Sequence, residues 1–273
     1  MENIYKKFEN VADFHKYLLN GETQDGFRED SKRKGHAFWH GTGSWEEAEN
    51  LLLNGDREHA ERIEEGGLSR ERMRIRLSET RRKTFTNVTG FAPCVPNYLA
   101  NVPKSMYETR TVRVKQKVVN VVYNCTNEWS VDSEEMVKAA VKMLSAVLRV
   151  ESAGVRVNLY VVAASSCDVK RETRQTVGVL VRVKSSGQHL DVLRTAYPLT
   201  NTSMLRRHFL RFIETTNGVH RRFSGGYGTP VKDASNILDG FGVKQYTQLH
   251  YNNMKDKDIK TIANEILGGG ANK

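Results

Sequence analysis

Between residues 112 and 184, two continuous β-branched runs flank one long amphipathic stretch, and this pattern limits the fold more than any other feature of the chain. "VRVKQKVVNVVYN" (112–124) ends in "VVNVVY", continuous enough to be a strand buried on both faces. In "VDSEEMVKAAVKMLSAVLRVESAG" (131–154), Asp132 and Glu135 predict a capping box. Met136, Ala140, Met143, Leu144, Val147 and Leu148 form one helical stripe, and Gly154 stands where a helix stops. "VRVNLYVVAAS" (155–165) is the next buried strand. "TVGVLVRVK" (176–184) alternates Val177, Val179, Val181 and Val183, which predicts a strand with one wet face. The polar link between them, "SCDVKRETRQ", is too short for a helical crossover and predicts an antiparallel hairpin. Helical sequence returns in "DVLRTAYPL" (191–199) and "TSMLRRHFLRFIETT" (202–216). The order predicts a three-layer α/β domain with a mostly parallel sheet over residues 111–273, tail included.

Residues 1–110 read differently. "VADFHKYLL" (11–19) predicts a short helix with Val11, Phe14, Tyr17 and Leu18 on one face. "GETQDGFREDSKRKG" (21–35) is loop sequence, and residues 57–83 are charged, broken by Gly66-Gly67, and expected to be helical in pieces. "FAPCVPNYLANVP" (91–103) holds three of the five prolines and predicts an irregular crossing segment. The expected division is a helical, basic N-terminal region (1–110) ahead of the α/β domain (111–273). The tail combines the glycine-rich "FSGGYGTP" (223–230), expected to be a flexible loop, with a short helix near 255–267.

Composition excludes several classes. No run approaches the roughly 18 apolar residues of a membrane span, and "MENIYKKFEN" has no apolar stretch for a secretory signal. Cys94, Cys125 and Cys167 are odd in number and widely spaced, as expected of reduced thiols in a cytosolic protein. The eight histidines are scattered, and neither a Gly-x-Ser-x-Gly elbow nor a phosphate-binding Gly-Lys-Thr occurs, so no metal or cofactor is expected.

The formal charge of +10 points to an anionic partner. In "RERMRIRLSETRRK" (70–83), seven of fourteen residues are Arg or Lys against two Glu. Arg70, Arg72, Arg74, Arg76, Arg81 and Arg82 are the expected phosphate contacts of one surface, and Arg206, Arg207, Arg211, Arg221 and Arg222 those of a second. A planar guanidinium suits phosphate better than an ammonium does.

Three resemblances add to this reading. Over about 115–235 the element order resembles the von Willebrand factor A domain, whose metal site, Asp-x-Ser-x-Ser, closes its first strand. At the matching "YNCTNEWS" (123–130) the chain offers Asn124, Thr126, Asn127 and Ser130 but no aspartate, which implies the fold without its metal. "FWHGTGSWEEAENLLLNGD" (38–56), "PNYLANVPKSM" (96–106) and "MLRRHFLRFIE" (204–214) resemble uncharacterised proteins of bacteriophages and other mobile elements. That resemblance implies a cytoplasmic place in a bacterial host cell, or association with a virion. The first of these stretches also resembles the opening signature of ADP-ribosyltransferases, in which a His-Gly-Ser/Thr binds the nicotinamide ribose. That would give His40 and Thr42 catalytic roles. A simpler reading makes Ser44 and Glu47 a capping box, Ala48, Leu51 and Leu52 a buried face, Gly55 a C-cap, and Phe38 and Trp39 core residues. The simpler reading is preferred. The expected protein is then a non-catalytic nucleic-acid-binding or adapter protein, with the transferase and a pure protein-interaction domain as alternatives.

Overall fold

Backbone punctuation in the first third follows the sequence closely. In the computed structural model, which describes residues 2–68, 80–113, 117–126, 133–170 and 173–268, the chain opens with β1 (Ile4–Phe8), α1 (Val11–Asn20), α2 (Trp45–Asn54) and α3 (Arg57–Ile63). Asn10 caps α1 by accepting from the Asp13 amide at 2.7 Å. Ser44 caps α2 by accepting from the Glu47 amide at 3.1 Å, while Glu47 accepts from the Gly43 amide at 2.7 Å. Gly55 ends α2 at φ 97°, which an L side chain rarely adopts. Next come β2 (Thr80–Asn87), β3 (Ala92–Pro93) and β4 (Met106–Arg113). The remainder runs β5 (Val118–Asn124), α4 (Ser133–Ser152), β6 (Arg156–Lys170), β7 (Thr173–Lys184), α5 (Val192–Thr200), α6 (Leu210–Thr215), β8 (Thr229–Pro230), β9 (Tyr246–His250) and α7 (Ile259–Gly268).

These elements form two units, Met1–Ile75 with Val118–Lys273, and Arg76–Lys117. In the larger unit the sheet order is β1-β7-β6-β5-β9, with β8 paired to β6. β5 runs parallel to both β6 and β9, and β1 runs parallel to β7. β6 and β7 form the expected antiparallel hairpin. The fold is therefore α/β with a mostly parallel sheet.

The helical stripe of α4 is buried: Ala140, Met143, Leu144 and Val147 have no exposed surface and share one core with Val121, Leu159, Val161 and Val179 of the sheet. Met143, Leu144 and Val147 each contribute roughly 1.5–3 kcal/mol relative to exposure, and Gly154 stops the helix at φ 84°. The opposite face is dry as well. Val122, Tyr160, Val162 and Leu180 pack beneath Ala234, Ile237, Leu238 and Phe241. The wet face expected on β7 is thus corrected: a short segment, too brief to show a periodic apolar pattern, covers it.

The expected boundary between residues 110 and 111 does not coincide with the structural division. β1 is an edge strand of the main sheet, paired from Ile4↔Val177 to Phe8↔Val181. Its sequence, "IYKKF", carries two lysines and no legible alternation. The smaller unit is a separate antiparallel sheet, ordered β2-β4-β3. Residues 80–83, expected to be helical, are strand because β2 is held along its length by β4, Thr80↔Arg113 to Asn87↔Met106.

Candidate nucleic-acid interface

His40-Gly41-Thr42 closes a buried knot. Ala37–His40 makes one helical turn, and Gly41 follows at φ 84°, where a Cβ would collide with Thr202 and Asn201 side-chain oxygens. His40 and Thr42 are 3% and 2% exposed. Arg207, with no exposed surface, donates from Nε to Thr42 Oγ1 (2.7 Å), from Nη2 to the Thr42 carbonyl (2.8 Å) and from Nη1 to the Ser31 carbonyl (2.9 Å). Ser203 Oγ donates to the His40 carbonyl at 2.6 Å. Burial, with Arg207 beside it, holds His40 below the ordinary imidazole range. The side chains of His40 and Thr42 are thus almost wholly enclosed by the protein's own groups. The core role expected for their neighbours is corrected too: Phe38 is fully exposed, and Trp39 is partly exposed beneath the Arg206 guanidinium, 5.3 Å from its ring centroid.

The second expected arginine surface is not built by three of its five members. Arg206, Arg207 and Arg211 are buried. Arg206 donates to the Trp39 carbonyl. Arg211 donates to Thr23 Oγ1 (2.6 Å) and the Gly21 carbonyl (2.7 Å) and lies 3.7 Å from the buried Glu214 carboxylate. These guanidiniums tie the helical stretch 204–215 to the N-terminal loops, a long-range role that a local charge count does not reveal. Arg221 and Arg222 are exposed, the latter donating to the Asp168 carbonyl at 3.0 Å. The glycine-rich loop behind them, expected to be flexible, is pinned: Tyr227 is buried, its hydroxyl donates to Glu214 at 2.6 Å, and its carbonyl accepts from Ser165 Oγ at 2.5 Å.

At the carboxyl end of β5, Asn124 and Thr126 also serve the fold. Asn124 Nδ2 donates to the carbonyls of Val231 (3.0 Å) and Lys232 (2.9 Å), and its Oδ1 accepts from the Thr126 amide (2.9 Å). Thr126 Oγ1 accepts from the Ala164 amide at 3.1 Å. Asn127 and Ser130 lie outside the described residues.

Charge is concentrated in the smaller unit. Residues 76–117 carry nine lysines and arginines against two glutamates, a net +7 in 42 residues. Residues 1–68 carry nine such bases against fifteen acids, a net −6. The N-terminal region as a whole is therefore not basic; its positive charge begins at Arg70. Arg70, Arg72, Arg74 and Arg76 lie outside the described residues, and Arg81 lies within β2.

Register sorts the side chains of this unit. Residues directly opposite share a face, so Lys83↔Arg110, Phe85↔Glu108 and Asn87↔Met106 line one side of the ribbon. Arg82↔Thr111, Thr84↔Thr109 and Thr86↔Tyr107 line the other. Lys83 opposite Arg110 is a like-charge pair, which is destabilising by itself. Glu108 offsets it by accepting from Nε and Nη2 of Arg110, both at 2.8 Å. That fork holds the Glu108 carboxyl below the usual carboxylate range.

Among the residues of this unit whose side chains are described, only Cys94 is buried. Phe91, Tyr98 and Leu99 are 71%, 69% and 77% exposed, and Phe85, Val88 and Val95 are exposed as well. The sequence shows these residues, but without β4 known to separate β2 from β3 nothing says that they join the arginines in one unit.

The family model described as "Domain of unknown function (DUF7192)" matches residues 2–267. The chain belongs to the DUF7192 family. No curated protein and no solved structure matches it. The DUF7192 match runs through the basic unit as well as the α/β sheet, so the unit lies inside the span that the family shares.

Proposed function

We propose that this DUF7192 chain is a non-catalytic nucleic-acid-binding protein whose contact surface is the basic unit, residues 76–117, acting in a phage or mobile-element nucleoprotein assembly. The observation that carries the reading is the net +7 on 42 residues, of which those with a described side chain bury almost nothing. Phosphate contact supplies the affinity. Exposed Arg82, Lys83, Lys104 and Arg110 offer point charges and forks to a sugar–phosphate backbone, and the threonines on the Arg82 side add hydroxyl donors. Charges spread over both faces of a ribbon do not compose the few oriented side chains that base-edge reading needs, so binding is weakly sequence-dependent.

Some features of the larger unit support a scaffold rather than an enzyme. His40 Nε2 lies 3.1 Å from the Asp30 carbonyl, and Arg207 is engaged by the carbonyls of Ser31 and Thr42. The cleft of about 770 Å³ beside β9 is lined by Lys232, Tyr246, Gln248, His250 and Asn252 among others, and His250 there is held below the ordinary imidazole range by burial, its Nε2 on the Thr126 carbonyl at 3.3 Å. No helix among the described residues is long and apolar enough to cross a membrane.

The test is a titration of labelled oligonucleotides with the full chain between low and moderate salt. Binding that weakens steeply with salt and barely changes between unrelated sequences is expected. No binding even at low salt refutes the proposal.

A further inference from the structure

The exposed rings of the basic unit have no use in a purely electrostatic contact. Phe85 leaves β2 on the Lys83–Arg110 side, and Phe91 and Tyr98 follow within the next thirteen residues. The backbone that carries the last two is ordered by its own hydrogen bonds: the Phe91 amide to the Tyr107 carbonyl (2.8 Å), Cys94 to Ser105 (2.7 Å), Tyr98 to Cys94 (3.0 Å) and Val102 to Asn97 (2.9 Å). Gly90 permits the first of these, because a Cβ there would run into the Tyr107 carbonyl. The rings are therefore held out in water by an ordered scaffold, in the unit that carries a net +7.

A duplex offers phosphates and groove edges, but its base faces are already stacked. A single strand offers phosphates together with open base faces, and a ring on an ordered backbone receives such a face at little entropic cost. A protein partner fits less well. The centres of protein interfaces are depleted of lysine, and a partner here would have to be strongly acidic to match the charge.

We infer that the occupant of this surface is single-stranded nucleic acid, with bases stacked on Phe91, Tyr98 and Phe85 while Lys83 and Arg110 on the Phe85 side, together with Lys104, hold its phosphates. The inference rests on the reading of the basic unit as a nucleic-acid surface, and the following experiment separates the two. Fluorescence anisotropy of the full chain is measured at one fixed salt concentration with three labelled probes of equal length: a base-bearing single strand, a strand of the same charge composed of abasic sites, and a duplex.

The base-bearing strand should bind tightest. Removing a ring, as in Phe91→Leu or Tyr98→Leu, should weaken it by about 5- to 150-fold and leave the abasic strand unaffected. Phe91→Tyr should restore most of the loss. An abasic strand or duplex that binds as tightly as the base-bearing strand overturns the stacking inference and leaves the nucleic-acid reading standing. Displacement of the base-bearing strand by polyglutamate at equal charge overturns it in favour of an acidic protein partner. Failure of every probe to bind overturns both readings. The abasic comparison needs no variant, so a variant that misfolds does not spoil the test.

Discussion

Acid should destabilise this protein through His208, by an amount that its surroundings allow to be worked out. The ring is fully buried, edge-on to Trp45 (5.0 Å between centroids) and Tyr197 (5.6 Å). Nε2 sits 3.4 Å from the Ala48 carbonyl, and Nδ1 has no hydrogen-bond partner. The neutral ring with its proton on Nε2 satisfies this site, whereas an added proton on Nδ1 would be desolvated without a partner. Burial, helped by His15 and Arg207, pushes its pKa down to about 3. The unfolded chain titrates near 6.5. Above that value neither state is charged, and the full contribution is present. As pH falls below about 6.5 the unfolded state takes up a proton that the folded state refuses, so stability declines until about pH 3. At about 1.36 kcal/mol per unit the loss is on the order of 2 kcal/mol by pH 5 and of 4–5 kcal/mol by pH 3. Urea denaturation of the wild type and His208→Gln across pH 7 to 5 checks this. Whatever its stability at pH 7, the variant should lose about 2 kcal/mol less across the window. The other buried histidines, His40 and His250, are present in both proteins and cancel. Equal slopes, or an NMR titration of His208 near pH 6.5, would refute the reasoning.

Two other substitutions probe the knot and the ribbon. Arg207→Met leaves the Ser31 and Thr42 carbonyls buried without their donors, and should cost on the order of 3–5 kcal/mol in denaturation; a loss below about 1 kcal/mol would mean that the network is dispensable. Glu108→Gln frees the Arg110 fork and removes one of two acids in the unit. Oligonucleotide binding should tighten and the salt slope steepen by about 0.7–0.9, whereas an unchanged slope would place Arg110 off the path of the bound strand.

The central fold was legible where patterning was local and long. α4 needed a six-residue stripe and a glycine stop; Asp132, its expected cap, lies outside the described residues. The β6–β7 hairpin needed only two β-branched runs and a short link. β1 and β9 were not legible, because "IYKKF" and "YTQLH" are short edge strands whose existence depends on a neighbour distant in sequence. The larger miss concerned arginine. Arg206, Arg207 and Arg211 look like any basic patch, and only tertiary structure shows their donors turned inward onto carbonyls. The setting of His40-Gly41-Thr42 was equally illegible, since Arg207, which bonds to Thr42, lies far along the chain. Conversely, Lys83, Lys104 and Arg110 were not singled out, because β4 brings Arg110 opposite Lys83 only through pairing. A net charge summed over residues 76–117, and not over 70–83 alone, was the available signal.

The measurement that bears most directly on the central claim is the salt dependence of oligonucleotide binding for the wild type against the triple variant Arg82→Glu, Lys83→Glu, Lys104→Glu. All three side chains are exposed, so circular dichroism and melting temperature should be unchanged. If the basic unit carries the contact, the slope of log K against log salt should shrink by about 2 to 2.7, three phosphate contacts at about 0.7–0.9 each. A variant that stays folded and keeps the wild-type affinity and slope would contradict the account.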